Sequence, residues 1–218
     1  MNCSPGPSRG TLAGVSELFL EAIDPERIHV GDGVHMPSRW DAVATGEPDN
    51  LGAIRVGVVY DQVLRRSVAA SVRVDRLGEG EEVTAALLRD VSVLQIVQRS
   101  ALRVVTVQRS EGEPMFLSEY FADVRAQAPD REFGDTVLEA VRLYRIATTV
   151  NIAPLKLVSD QLGVSVSTAT RMMARARGAG LAEDLITRET YNRMRADEEE
   201  RTRPHQLPGS PSGPSLGR

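Results

Sequence analysis

The chain has 218 residues with 26 basic and 30 acidic side chains, a formal charge of -4, and 41% apolar but only 4% aromatic residues. That length allows one medium domain or two small ones, with enough apolar content for a core but too few aromatic rings for a broad stacking platform. The lone cysteine, Cys3, excludes an intramolecular disulfide and a cysteine-rich zinc module.

No stretch approaches the roughly 18 uninterrupted apolar residues that a spanning helix needs, and Met1 to Gly10 has no apolar h-region. The expectation is a cytoplasmic chain with no membrane partner. Residues 1 to 10 and 196 to 218 are predicted as disordered tails, because they hold too few apolar groups to offset the entropy of ordering them.

From Thr11 to Ile23 the residues Val15, Leu18, Phe19 and Ala22 fall at helical spacing, with Ser16 as a cap and Asp24-Pro25 as a stop, which predicts a short helix. Ile28 to Val30 and Trp40 to Ala44 read as strands, with a turn at Gly31-Asp32-Gly33 and with Trp40 as a core anchor. Ile54 to Tyr60 and Ser67 to Val74 alternate across the polar link Asp61 to Arg66. This predicts a β-hairpin with Val68, Ala70, Val72 and Val74 on one face. Val83 to Val107 returns to helical spacing through Leu87, Leu88, Val91, Leu94, Ile96 and Val97. Residues 11 to 107 are therefore read as a small N-terminal α+β domain.

The stretch 108 to 134 mixes Gly, Pro, Glu and Asp with an apolar patch, and reads as a linker holding a short helix from Ser118 to Ala126. Asp135 is placed to cap a helix whose buried stripe is Val137, Val141, Tyr144 and Ile146 or Ala147. It opens a second, all-α domain at 135 to 195, so the fold class expected for the whole chain is α+β.

The most informative stretch runs from Pro154 to Gly180. Pro154 suits the first turn of a helix that must stop at Gly163, since glycine takes up the left-handed conformation at little cost. Ser165 then caps a second helix, stopped by Gly178 and Gly180. Two short helices about a glycine turn make a helix-turn-helix. Val158, Leu162, Val164, Ala169 and Met172 occupy the positions that must be apolar for the two helices to bury each other. Outward lie Ser165, Val166, Ser167, Thr168, Thr170, Arg171, Ala174 and Arg175, with no acid from Val164 to Gly180. Hydroxyls contact phosphates or base edges, and arginine pairs bidentately with guanine. Lys156, at the start of the first helix, is assigned to the DNA backbone.

QLGVSVSTATRMMARARGAGL resembles the C-terminal helix-turn-helix of a set of actinobacterial and actinophage regulator-like proteins with a GVSxSTAxR-type motif. LEAVRLYRIATTVNIAPLKLVSDQ resembles the helices before that motif, and EEVTAALLRDVSVLQIV resembles a segment of the N-terminal half of the same set. The resemblance implies a DNA-binding regulator. Ser159 stands where that set commonly has alanine, and Asp184 where it usually continues apolar.

The charge is unevenly divided. Residues 11 to 134 hold 13 basic and 20 acidic groups, whereas residues 135 to 195 hold 9 basic and 6 acidic, net +3. So small a positive charge makes few phosphate contacts, and a homodimer on double-stranded DNA is expected. The motif is also compatible with a plain helical hairpin, with a protein-interaction module, or with a phage-type DNA-packaging or assembly adaptor.

Other constellations point elsewhere less well. His29, Asp32 and His35 could be metal ligands but lack a third strong ligand at a supporting spacing. Gly78 and Gly80 stand beside Glu79, Glu81 and Glu82, which would repel a phosphate. Neither Cys3 nor any histidine has a catalytic partner at a recognisable spacing, so no enzyme, metal or cofactor is expected. Asp197 to Glu200 reads as a solvated acidic run able to compete with DNA.

Overall fold

The computed structural model describes residues 17–45, 51–76, 78–79, 82–109 and 112–185. The predicted tails, the acidic run Asp197 to Glu200, the Ser16 cap and the last part of the helix-turn-helix domain (186–195) lie outside the described residues. What is described is mixed α+β, with two antiparallel four-stranded sheets and six α-helices.

The first sheet has the order β1-β4-β5-β6, formed by β1 (Glu17–Glu21), β4 (Arg39–Thr45), β5 (Leu51–Asp61) and β6 (Arg66–Arg76). The second has the order β2-β3-β7-β8, formed by β2 (Arg27–Gly31), β3 (Val34–Pro37), β7 (Thr106–Val107) and β8 (Met115–Phe116). Trp40, Ala42, Ala44, Ile54, Val56 and Val58 are buried in β4 and β5. The helix α2 (Val93–Val104) packs on this sheet and buries Ile96, Val97, Ala101 and Val104. Alternate residues of a strand share a face, so one apolar row on each strand is enough to build this layer.

Three expectations are corrected. The apolar residues near Leu18 form strand β1, not a helix: Leu18 pairs with Ala44 and Leu20 with Ala42, so sheet pairing overrides an apolar spacing that fits a helix. Val83 to Val107 is not one helix. A short α1 (Ala85–Asp90) ends before Val91, α2 restarts from Ser92, and the last residues leave as β7, where Val107 pairs with Val34. The single apolar face expected on β6 is split by a register shift opposite Gly57 and Val58: Val72 pairs with Val56 and Ala69 with Val58, so Val68 lies on the other side of the sheet from Val72 and Val74. The hairpin itself, the strands about Ile28 and Trp40, and the turn at Gly31-Asp32-Gly33 are as expected. Gly33 is required there: its φ is +75°, and a Cβ would sit 2.1 Å from the Gln108 carbonyl oxygen.

Residues 108 to 134 carry β8, the helix α3 (Leu117–Ala126) and a 3-10 turn at Ala128–Asp130. Leu117, Tyr120 and Val124 of α3 are buried. The helix α4 (Phe133–Thr149) begins two residues before Asp135; Glu132 is its N-cap and makes no side-chain capping bond, so Asp135 lies in the first turn as an acidic residue near the helix N-terminus.

The described residues through Glu183 cluster into one compact unit. Polar contacts join α4 and the loop after it to the sheets. Arg145 Nε donates to Asp32 Oδ2 at 2.7 Å and its Nη1 to the Val30 carbonyl, while Arg142 Nε donates to the Asp32 carbonyl. Ser67 Oγ donates to the Thr149 carbonyl at 2.9 Å, and Asn151 Nδ2 donates to the Ser67 carbonyl. Among the described residues no helix is long and apolar enough to cross a membrane.

Candidate nucleic-acid interface

Three helices build the site. α4 lies against α5 (Pro154–Leu162) and α6 (Val166–Gly178), which also pack on each other. Val158 and Leu162 of α5 and Ala169, Met172, Met173 and Ala176 of α6 are buried, and Val164 in the turn is half-buried. Ala169 is fully buried, as expected of a small residue where helices meet closely. Met173 and Ala176 extend the expected buried stripe by another turn.

The turn forms as the residue types predict. Gly163 caps α5 in the left-handed conformation, φ 64° and ψ 30°, where a side chain would be strained. Ser159 ties the turn together. Its Oγ donates to the Val164 carbonyl at 2.6 Å, and its own carbonyl accepts from the Val164 N–H, so one residue holds both sides of the turn.

Ser165 caps α6: its Oγ accepts from the Thr168 N–H at 3.1 Å. The same oxygen lies 2.9 Å from both the Ser167 and Thr168 hydroxyls, and Arg171 Nη2 donates to Thr168 Oγ1 at 3.4 Å. Thr170 Oγ1 donates back to the Val166 carbonyl at 2.9 Å. Much of the hydroxyl face read from the sequence is therefore engaged inside the helix and its cap.

All eight α6-side candidates are brought together on one helix and its cap. Ser165, Val166, Ser167, Thr170, Arg171, Ala174 and Arg175 are exposed, and Thr168 is half-buried. Arg175 is anchored, with its guanidinium 4.7 Å from the centre of the Phe133 ring at the start of α4. Arg171, in the middle of α6, is exposed and donates a hydrogen bond to Thr168. Lys156 stands apart on α5 in an exposed ion pair with Asp160 at 3.1 Å, so binding a phosphate there requires exchanging one partner for another.

Sequence reasoning missed several supporting residues. Phe133 positions Arg175, and Arg177 lies 5.8 Å from the Tyr144 ring. Arg125 of α3 donates to Gln161 of α5 at 2.9 Å and ties the motif to α3. Beneath the motif, Glu139 of α4 is buried between Arg142, 3.0 Å away, and Arg109, 3.3 Å away, and accepts a short hydrogen bond from the Tyr120 hydroxyl. Burial first, and then the Glu139 charge, push the Tyr120 phenol far above its ordinary pKa, so it stays a donor. Burial alone would lower the Arg109 pKa, but Glu139 and Asp123 beside it hold it above the ordinary value. Helical periodicity marks α4 as partly buried, yet nothing local pairs Tyr120 or Arg109 with Glu139.

The other cluster weighed from the sequence lies in the β2–β3 hairpin, where His29 Nε2 accepts from the Gly33 N–H at 3.3 Å. His29 and His35 are cross-strand neighbours with ring centres 4.9 Å apart, and Asp32 is engaged by Arg145. No protein-family model matches the chain, and neither curated proteins nor solved structures give a match.

Proposed function

We propose that the protein binds double-stranded DNA in a sequence-specific manner as a transcriptional regulator, with α6 entering the major groove. The observation that carries this reading is the pair α5 and α6 joined by a left-handed glycine, with the second helix capped by Ser165 and presenting an exposed, acid-free face. A helix is the right width for the major groove, and its N-terminal half meets the base edges in helix-turn-helix complexes. Arg171 is the base reader. Arg175, held by Phe133, contacts phosphate, and Lys156 supplies a weaker backbone contact after leaving Asp160.

The chain acts as a homodimer in this reading. Net charge is only +3 over residues 135 to 195, too little for strong non-specific binding by one copy. Light scattering should find a dimer; a monomer at every concentration overturns that part. The reading itself is tested by selecting binding sites from random duplex DNA with the full chain. A defined sequence should be enriched, Arg171→Ala should relax one position, and Arg175→Ala should weaken all sites alike. Failure to enrich any sequence at low salt overturns it.

A further inference from the structure

The outward face of α6 is less polar than its composition. The Ser165, Ser167 and Thr168 hydroxyls face one another around the cap, and the Thr170 O–H is turned back to the Val166 carbonyl. Two apolar groups remain on the exposed first turns. Val166 is 50% exposed, and Thr170 is exposed with its hydroxyl hydrogen engaged, which leaves its γ-methyl to meet a partner. The two residues are four apart and therefore stand one above the other on the same side of the helix. Arg171 lies beside them, and no acid occurs from Val164 to Gly180, so a polyanion can approach this side closely.

Only one base carries an apolar group into the major groove of unmodified DNA: thymine, through its 5-methyl. Resting on the DNA-binding reading above, we infer that Val166 and Thr170 read thymine methyl groups at neighbouring base pairs, while Arg171 supplies the polar contact alongside. The site bound by this protein then contains thymine at the positions that α6 faces. A 5-methylcytosine carries its methyl at the same ring position and satisfies the same apolar contact.

The test starts from the duplex enriched out of random DNA by the full wild-type chain. That duplex is remade with deoxyuridine in place of thymidine, one position at a time, which removes the methyl and leaves base pairing intact. Binding should weaken about fourfold at each of two neighbouring positions, the worth of one buried methyl group apiece. In Val166→Ala, whose substitution is on the surface, the loss at one of those positions should shrink while the other stays. Equal binding of thymine and uracil at every position overturns the inference and leaves the DNA-binding reading standing. So does an unchanged pattern of losses in Val166→Ala. Enrichment of no duplex at all overturns both.

Discussion

α4 and α6 are neighbours in one three-helix motif, but they use arginine in opposite ways. On α4, Arg145 is 5% exposed and faces Asp32 and the Val30 carbonyl, and Arg142 faces Glu139. On α6, Arg171 is exposed, and Arg175 is exposed with its guanidinium over the Phe133 ring. A buried charge that loses its partner is costly, whereas an exposed one has water as a substitute. The difference separates the residues that hold the motif in place from those free to meet a ligand. Substitutions of the buried polar residues on α4 should therefore damage the fold, and substitution of Arg171 on the outer face of α6 should damage binding alone.

The largest expected effect tests the α4 side. Arg145→Ala removes the buried guanidinium that donates to Asp32 and to the Val30 carbonyl, and should destabilise the chain by about 2 kcal/mol in urea unfolding, within the range for lost hydrogen bonds to a charged group. An unchanged midpoint would erase the contrast. Tyr120→Phe removes one donor from Glu139 but leaves both arginines, so the loss should be smaller, about 1.5 kcal/mol by the same measurement. Ser165→Ala takes away the α6 cap and should cost about 1 kcal/mol, with Ser165→Asp recovering most of it. Arg171→Ala should lie within about 0.5 kcal/mol of wild type, because its side chain is exposed and away from the core.

A pH effect is expected at Asp24, beside Ser38 and Glu26. The Ser38 hydroxyl first, and the Glu26 N–H second, hold the Asp24 carboxyl below its ordinary pKa. The stability from this site is present above the ordinary carboxylate range and is lost as pH falls through the lowered value. In Ser38→Ala the Asp24 titration followed by NMR should move up. An unmoved titration would show that the hydroxyl does not set it.

The motif was legible because its signals are local. Pro154, Gly163 and Ser165 each impose a backbone state on their own position, and the apolar spacing of Val158, Leu162, Ala169 and Met172 needs only the helical period. The hairpin of β5 and β6 was legible for the same reason. What stayed hidden depends on distant partners. Leu18 and Phe19 fit a helix until β4 pairs with them, and Val107 looks like the end of a helix until Val34 takes it into a sheet. Asp32 and Arg145 are 113 positions apart, and no periodicity connects them. The hydroxyls of α6 were visible as residue types, but their inward hydrogen bonds were not, so the face looked more polar than it is.

The proposed division of labour puts DNA contact on the outer face of α6 and support on the buried side of α4. It is tested most directly by measuring the affinity of wild type and Arg171→Ala for the duplex enriched by the wild-type chain, with urea unfolding of both proteins in parallel. Coincident unfolding curves are expected, with binding weaker by about tenfold in the variant, within the range for one lost base contact. Equal affinities with coincident unfolding would contradict it.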